Sequence, residues 1–363
     1  MGRLAIATLS TENLLHNLEI LKNKAADKKI MAMIKANGYG HGLRSTALRL
    51  DGKIYSFGVA SIDEALALRK VGIKSPITLM SGAFEAEDIS ISSEQKFQLI
   101  FHEKNQIDWL NQANISSPLK IWLKINTGMN RLGFSLEEAK DIYQILSESS
   151  KVVNPIGIIS HMACADEPIN PMNQKQLDRF KDFVQDLPGP KSLCNSASIF
   201  SFENDLYDVV RPGLALYGLS PITGRSSEEL GLKPVMTLKT KIVAISEAKA
   251  GSSIGYGSRS TCNVDTPIGV IAMGYGDGYP RTARDETPVL VNGVRCHIIG
   301  RISMDMATID LSNHPNAKVG DTVTLWGDDL PIEEVALHTD NIPYDIICAV
   351  QQRVKFYWSP ILP

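Results

Sequence analysis

Residues 30–42 read IMAMIKANGYGHG, an apolar run that ends in a lysine and continues into alternating glycines. The five apolar residues at 30–34 indicate a strand buried on both faces, as in a parallel sheet. Lysine is rarely buried unless it is paired or chemically used. Two alternatives therefore stand for Lys35: its charged end reaches solvent from the end of the strand, or it is desolvated there and acts as a nucleophile. The glycines allow tight turns and close approach of a ligand, and they do not form a P-loop pattern.

Short apolar runs of this kind recur eight times within the first 230 residues, at 29–35, 55–61, 77–82, 98–103, 121–128, 156–162, 192–196 and 209–218. Stretches with helical periodicity precede or separate most of them, at 11–26, 62–72, 85–91, 105–113, 135–150 and 173–187. Eight strands alternating with helices predict an N-terminal (β/α)₈ TIM-like barrel, an α/β fold. A doubly wound open sheet is the alternative, but the count of eight and the lack of a clear GxGxxG pattern favour the barrel.

Polar residues end most of these runs. They are Lys35, Ser61, Ser81, His102, Thr127, His161, Asn195 and Arg211. In a (β/α)₈ barrel the active site is built at the carboxyl ends of the strands. We therefore expect the catalytic side chains among these positions and in the loops that follow them.

The pattern changes after about residue 232. Residues 236–251, 268–278, 288–300, 306–312 and 321–327 are β-rich with turn residues between them, and only 331–338 looks helical. We predict a barrel domain at 1–232, whose first residues pair with the second domain, and a C-terminal mainly-β domain at 233–363.

The bulk properties exclude several classes of protein. A net charge of −3 over 363 residues provides no electrostatic footprint for nucleic acid or an anionic membrane. No apolar stretch reaches 18 residues, and residues 1–15 lack the apolar core of a signal peptide. Five cysteines without a CxxC pair are typical of a cytoplasmic protein with reduced thiols, and the histidine spacings predict no metal site.

Two cations, Lys124 and Arg131, flank a Thr-Gly-Met turn in the stretch IWLKINTGMNRLGF at 121–134. Either they face an anion, or one of them is modified, or both are solvated loop charges. His161 similarly ends a run and is either a structural or a functional residue.

An anion site is predicted where the last two barrel strands end. Ser196 is either a helix N-cap or part of a phosphate site, because both use the start of a helix. Phosphate sites after strands seven and eight recur in these barrels, which also implicates the backbone of Gly213 and Leu214. In the β domain, Tyr256 and Tyr275 each lie between glycines, a pattern more typical of a turn than of a site.

Taken together in order, these motifs resemble the alanine racemase family, the pyridoxal-phosphate enzymes of fold type III. The resemblance covers essentially the whole chain. It is carried by KANGYGHG (35–42), FGVASIDEALALR (57–69), KINTGMNRLGF (124–134), HMACADEP (161–168), NSAS (195–198), VRPGLALYGLSP (210–221), LKPVMTLKT (232–240), GYG (255–257), GYGDGYPR (274–281), GRISMDM (300–306) and YDIICAVQQRV (344–354).

The resemblance implies pyridoxal 5′-phosphate as the cofactor, bound covalently to Lys35 as a Schiff base. Its phosphate is expected to contact Tyr39, Asn195, Ser196, Tyr344 and the backbone of Gly213 and Leu214. Arg211 is expected to bond the pyridine nitrogen, with His161 behind it. Because arginine does not give up its proton, that nitrogen would stay unprotonated.

For the substrate, the resemblance implies that Arg131 and the Met304 backbone N–H meet the carboxylate of alanine, and Arg131 is also expected to contact the ring O3′ of the cofactor. Lys124 matches a family lysine that is often carbamylated, which would place an anion beside Arg131. Residues of the access corridor are expected at Asp166, Tyr275, Arg281 and Arg301.

The implied reaction is the interconversion of L- and D-alanine by two bases on opposite faces of Cα. Lys35 would serve the D-alanine face and Tyr256 the L-alanine face. In the family the tyrosine comes from the second subunit, so a homodimer is expected. The implied role is supply of D-alanine to the cell wall peptidoglycan, although a catabolic role stays open.

Other functions remain as alternatives. They are a broad-specificity amino acid racemase, a fold type III decarboxylase and a non-catalytic pyridoxal-phosphate binding protein. The sequence departs from the usual family residues at Gly38, Asn126 and Ser303 and has a more polar N-terminal segment. These departures leave Lys35 and Tyr256 in place and affect the expected substrate preference more than the reaction.

Overall fold

A computed structural model describes residues 2–360 of the chain. The described residues divide into two compact units. The barrel unit contains residues 18–216 and 221–225, and the β unit contains the remainder. The predicted domain division at 232/233 stays a prediction. Strand β1 (Ile6–Ser10) and helix α1 (Thr11–Ala25) come first in the chain.

Eight parallel strands form the sheet of the barrel unit, in the order β8-β7-β6-β5-β4-β3-β2-β9. They are β2 (Lys29–Met33), β3 (Ser56–Val59), β4 (Ile77–Leu79), β5 (Gln98–Phe101), β6 (Ile121–Lys124), β7 (Gly157–Ile159), β8 (Lys191–Ser192) and β9 (Val209–Val210). The two end strands approach each other as well. The N–H of Arg211 donates to the carbonyl of Cys194 at 3.0 Å, and a parallel bridge joins Asn195 to Arg211. The sheet therefore closes, which confirms the predicted TIM-like barrel.

Helices connect the strands of the barrel unit, as the right-handed crossover of parallel strands requires. They are α3 (Leu43–Leu50), α4 (Ile62–Lys70), α5 (Ala86–Gln95), α6 (Lys104–Gln112), α7 (Leu136–Glu148), α8 (Pro171–Val184) and α9 (Ser196–Ser201). The short element α2 (Lys35–Tyr39) precedes them and is a left-handed turn rather than a regular helix. Helix α7 shows why the local sequence is helical. Ser135 accepts a hydrogen bond from the N–H of Glu138 in a capping box, and Ala139, Ile142 and Leu146 form its buried face.

The centre of the barrel is filled by large side chains from the strands. A buried cluster joins Met31, Met33, Ile100, Trp122, Ile159 and Val209. Tyr39 packs against this cluster from the loop that follows β2. Since the interior is packed rather than hollow, ligands are restricted to the ends of the strands.

The β unit contains one long strand, β10 (Met236–Ala248), around which the others assemble. The remaining strands are β11 (Ser253–Ile254), β12 (Ser260–Thr261), β13 (Thr266–Ile271), β14 (Pro288–Val291), β15 (Val294–Ile298), β16 (Ala307–Asp310), β17 (Thr322–Trp326) and β18 (Lys355–Ser359). The large sheet runs β13-β16-β15-β14-β17-β10-β1-β18, and β13 also pairs with β10. This confirms the predicted mainly-β architecture.

Between residues 233 and 360 the structure describes two α-helices, α10 (Ile332–Leu337) and α11 (Pro343–Ala349). The expectation that only 331–338 is helical was therefore wrong. Helix α11 reads PYDIICA, and its two adjacent isoleucines favour a strand by local propensity. Its start is set instead by a proline in the first turn, where the fixed φ suits a helix. None of the described helices is both long enough and apolar enough to cross a membrane.

Candidate active site

Lys35 lies two residues beyond the end of β2, and the backbone after it is left-handed. The φ angles of Ala36, Asn37, Gly38 and Tyr39 are +52°, +55°, +63° and +51°. For a residue with a side chain, this conformation costs about 1–2 kcal/mol. Three residues with side chains in one left-handed run of four mark this loop as a place where strain is held, as is common at functional sites.

Local hydrogen bonds hold the left-handed turn. The N–H of Gly38 donates to the carbonyl of Ile34 at 2.8 Å, and the Asn37 side chain accepts from the N–H of Leu43 at 3.0 Å. His41 is buried, and its Nδ1 lies 2.8 Å from the carbonyl of Tyr39. Burial lowers the pKa of His41 to about 4, so the ring is neutral and serves the turn as a structural group. This supplies a role for His41, which the sequence alone left unexplained.

Tyr39, Ser196 and Gly213 converge at the ends of β2, β8 and β9. The Ser196 hydroxyl accepts from the N–H of Gly213 at 2.8 Å. A Cβ placed on Gly213 would lie 2.4 Å from the phenol oxygen of Tyr39. Only glycine therefore allows the tyrosine hydroxyl, the serine hydroxyl and a backbone N–H to share this space. Leu214 follows as a buried residue, and Asn195 caps helix α9 by accepting from the N–H of Ser198 at 3.0 Å.

Arg211 is a buried cation, 3% exposed, at the end of β9. Its guanidinium donates to the Ser192 hydroxyl at 2.5 Å and to the carbonyls of Ser160 and Leu193 at 2.6 and 3.1 Å. Burial lowers its pKa to about 10, which leaves it charged at neutral pH. Nδ1 of His161 lies 3.2 Å from the same guanidinium.

His161 is held neutral by its surroundings. Burial, and then the neighbouring Arg211, Lys124, Arg131 and Lys35, keep its pKa well below the usual value. A neutral ring can accept a hydrogen bond from the arginine at Nδ1. The structure therefore brings together the two residues that the sequence predicted to act as a pair.

Lys124 is 8% exposed at the end of β6. Its pKa is lowered to about 8, mainly by burial and then by the neighbouring cations Arg211, Arg131 and Lys35. Among residues 2–360, neither Lys124, Arg131 nor Arg211 forms an ion pair with a carboxylate. The end of the barrel is therefore a concentrated positive site suited to anionic ligands. Arg131 is exposed there, in the loop after β6.

Gln176 is a residue that the sequence reasoning missed. It is fully buried on helix α8, and its amide donates to Thr127 Oγ1 at 3.0 Å and to the carbonyl of His161 at 2.9 Å. It also accepts from the N–H of Ala163 at 2.8 Å. One side chain thus joins the segments that follow β6 and β7. The available signal was its position beside Leu177 and Phe180 on the buried face of the helix, where Asn173 is the other polar residue among those that are buried.

The β unit holds the other predicted residues, and most of them are exposed. Tyr256 is 69% exposed beside the hairpin of β11 and β12. Gly255 and Gly257 flank it with φ of +69° and +73°. A Cβ placed on Gly255 would lie 3.4 Å from the backbone nitrogen of Arg301, and one placed on Gly257 would lie 3.7 Å from its guanidinium, so the turn packs beside this residue. The turn that the Gly-Tyr-Gly pattern predicted is therefore present, and it carries the tyrosine that the resemblance implies as a base.

Two adjacent loops of the β unit carry Tyr275 and Met304. The N–H of Tyr275 donates to the carbonyl of Ser303 at 3.0 Å, and the N–H of Gly276 donates to the carbonyl of Met304 at 2.8 Å. The N–H of Met304 itself forms no hydrogen bond with any of residues 2–360. It is thus a donor open to a ligand.

The remaining corridor candidates are placed as follows. Arg281 lies with its guanidinium 5.9 Å from the centre of the Tyr275 ring. Arg281 and Arg301 line a cleft of about 590 Å³ in the β unit, and Tyr344 lies at the start of α11. Asp166 is an exposed residue of the barrel unit. Throughout residues 2–360, no cluster of three His, Cys, Asp or Glu side chains could hold a metal ion.

A second cleft, of about 520 Å³, opens beside Ile73, Phe97 and Leu119. These residues precede strands β4, β5 and β6, so the cleft lies at the amino end of the barrel strands. It contains none of the predicted site residues. In this fold that end contributes to stability rather than to chemistry.

Two family models match the chain. The model described as "Alanine racemase, N-terminal domain" matches residues 9–221, and "Alanine racemase, C-terminal domain" matches residues 235–358. Among curated proteins, an alanine racemase of Coxiella burnetii is 45% identical over 357 residues, which cover 97% of this chain and 98% of that protein. An alanine racemase of Legionella pneumophila is 42% identical over 358 residues, which cover 98% of this chain and 100% of that protein.

A solved structure shows the same similarity in three dimensions. The crystal structure of a biosynthetic alanine racemase from Pseudomonas aeruginosa matches with a TM-score of 0.96 at 37% identity. The match covers 99% of this chain and 100% of that one. Similarity therefore extends over both units of the chain.

Proposed function

This chain belongs to the alanine racemase family, and from that premise we propose that it interconverts L-alanine and D-alanine. Both family models match, and they cover most of the chain between them. The observation that carries the proposal is the set of groups at the carboxyl end of the barrel strands. Lys35, Arg211 and the cradle at Gly213 lie where this fold places its active sites.

The residues present fit pyridoxal 5′-phosphate. The Tyr39 and Ser196 hydroxyls with the Gly213 N–H would hold the phosphate, because a Cβ at Gly213 would fill that space. Tyr344, Asn195 and the Leu214 backbone would complete its surroundings. Arg211 would contact the ring nitrogen as a charged donor, kept in place by three protein oxygens and His161. When bound, pyridoxal phosphate weakens the Cα–H bond of an attached amino acid by withdrawing its electrons.

The chain's own groups would then move the protons. We assign Lys35 Nζ to one face of the substrate Cα, as the base toward D-alanine, and the Tyr256 phenol to the opposite face, toward L-alanine. Racemisation needs a proton removed on one face and delivered on the other, which two positioned bases achieve most simply. Because Tyr256 is exposed on a turn of the β unit, it is accessible to a second copy of the chain. This supports a homodimer in which each active site is shared.

The positive site would bind and orient the substrate carboxylate. We assign this contact to Arg131 and to the open N–H of Met304, with Asp166, Tyr275, Arg281 and Arg301 along the approach. Lys124, with a pKa of about 8, is partly neutral at physiological pH and can add carbon dioxide to form a carbamate. The resulting anion would lie among cations and would orient Arg131.

We further propose a cytoplasmic enzyme that supplies D-alanine for peptidoglycan. Within the described residues, which include all five cysteines, no disulfide forms, consistent with a reducing compartment. Alanine is the substrate on which the family's curated relatives agree by name.

The test is a racemisation assay of the purified chain loaded with pyridoxal phosphate. Both enantiomers of alanine should be produced from either one, as measured by chiral chromatography, and the loaded protein should absorb in the visible range. Absence of both exchange and absorbance contradicts the proposal. A panel of other amino acids separates strict alanine use from broad-specificity racemisation, and release of carbon dioxide identifies a decarboxylase.

A further inference from the structure

Four charged side chains form an ion network beneath the two loops that carry Tyr275 and Met304. Arg3 donates from Nε to Asp277 at 2.7 Å, and its Nη2 contacts the other oxygen of that carboxylate. The same Nη2 donates to the backbone carbonyl of Asp305 at 2.6 Å. Arg353 bridges both acids, with Nε 3.0 Å from Asp277 and Nη2 2.6 Å from Asp305. Two arginines and two aspartates thus neutralise one another.

Asp277 is the centre of this network. Its side chain is fully buried, and it also accepts from the N–H of Gly274 at 2.9 Å. A buried carboxylate persists only when it is paired and hydrogen-bonded. Arg3 supplies a two-point contact that a lysine could not reproduce. Arg3, near the start of the chain, therefore holds the loop at 274–278 in place through the carboxylate of Asp277.

Asp305 connects the network to the neighbouring loop. It follows Met304 directly, and Arg3 holds its carbonyl while Arg353 holds its carboxylate. On the other side, the carbonyl of Met304 accepts from the N–H of Gly276. The peptide that presents the Met304 N–H is held through its own carbonyl, that of Ser303, which accepts from the N–H of Tyr275 at 3.0 Å. The next two peptides are held through the carbonyls of Met304 and Asp305, so the backbone on the carboxyl side of this N–H is fixed as well.

From this geometry we infer that Arg3 and Arg353 are positioning residues for recognition of the substrate carboxylate. They orient the Met304 N–H, and they cancel two carboxylates that would otherwise repel an anionic group. The inference rests on the proposed function, because it takes Met304 as a contact of the substrate. Neither arginine touches the substrate in this arrangement.

The experiment compares the holoenzyme with Arg3→Ala, Arg3→Lys and Arg353→Ala variants. Arg295→Ala is the matched control, since it removes an exposed arginine paired with Glu334 in the same unit. For each protein, kcat and KM for alanine are measured, together with the dissociation constant of propionate, a carboxylate that lacks the amino group. Calorimetry reports propionate binding without any turnover.

For Arg3→Ala we expect KM and the propionate dissociation constant to rise together, by about tenfold, with kcat changed much less. Arg3→Lys should recover part of the lost substrate and propionate affinity, because lysine restores the positive charge but not the two-point contact of the guanidinium with Asp277. Arg353→Ala, at a more exposed position, should show a smaller rise of the same kind. It also keeps the inference testable if Arg3→Ala does not fold.

The inference would be overturned if KM and propionate binding were unchanged in both Arg3→Ala and Arg353→Ala. It would also be overturned if these variants lost only kcat or only thermal stability. A wild-type chain that binds no propionate overturns it as well. A wild-type chain that binds propionate but does not racemise alanine contradicts the proposed function alone. In that case the variants' propionate binding still decides the role of the arginines.

Discussion

Arg211 in the barrel unit is 3% exposed and is held by four hydrogen-bonding partners, whereas Tyr256 in the β unit is 69% exposed on a glycine turn. In the barrel unit, the pKa values and orientations of the candidate site residues depend on burial and on neighbouring groups of the same unit. Burial lowers the pKa of Arg211, and burial together with neighbouring cations lowers the pKa of Lys124 and His161. The β unit instead carries its candidate residues, such as Tyr256 and Met304, as exposed groups on loops that hydrogen bonds and packing hold in place. Substitutions in the barrel site should therefore couple activity to stability, whereas Tyr256 should affect activity alone.

The largest effect is expected from Lys35→Ala, which removes both the proposed covalent anchor of the cofactor and one of the two proposed bases. Racemisation should fall by about ten thousandfold, as measured by chiral chromatography. Lys29→Ala is the control, because Lys29 lies at the opposite end of the same strand, over the ring of Tyr55. Retention of a tenth of the activity in Lys35→Ala would contradict the role of this residue.

Tyr256→Phe tests the exposed side of the comparison. Racemisation should fall by about a hundredfold to a thousandfold, because one of two bases is lost, while unfolding and cofactor binding stay unchanged. Exchange of the Cα hydrogen of D-alanine with solvent, followed by NMR in D₂O, should persist through Lys35. Tyr357→Phe, another exposed tyrosine of the β unit, is the control. Equal loss of exchange for both enantiomers would argue against separate faces.

Gln176→Leu tests whether buried residues of the barrel site couple activity to stability. It leaves the carbonyl of His161 and the N–H of Ala163 without their partner, so the free energy of unfolding should fall by about 2–3 kcal/mol. Activity should fall with it. Gln174→Leu on the same helix changes an exposed side chain and should stay within about 0.5 kcal/mol. Urea denaturation measures both, and equal midpoints for the two variants would refute the bracing role.

Lys124→Met is expected to have an effect of the opposite sign and to stabilise the chain. The folded-state pKa of about 8 lies below the unfolded value of about 10.4, so the native state disfavours the proton. At pH 7, below both pKa values, the variant should be more stable than the wild type by up to about 3 kcal/mol in buffer free of carbon dioxide. Because the unfolded wild type binds the extra proton between pH 8 and about 10.4, wild-type stability rises across that window and the difference disappears.

The measurement for Lys124→Met is the urea midpoint at several pH values. Lys120→Met, at an exposed lysine just before the same strand, is the control and should stay within about 0.5 kcal/mol. A difference that does not depend on pH would show that the charge on Lys124 is not what burial penalises.

The sequence alone determined the eight barrel strands, the mainly-β second half and the family, because short apolar runs and motif order are local properties. It also placed Lys35 at a strand end. It did not reveal the left-handed turn after Lys35, since φ depends on how the loop is held by residues such as Leu43. Helix α11 was missed because its isoleucines favour a strand until packing decides otherwise.

Tertiary structure alone decided which distant groups meet. Arg3 and Asp277 are 274 residues apart in the chain, and Gln176 joins segments that follow two different strands. No periodicity encodes such contacts, because they arise only when separate elements pack. The lowered pKa of Lys124 has the same origin, since it depends on burial and on cations from other strands. The sequence thus predicted the candidate site residues, and the fold set the charge and orientation of the groups around them.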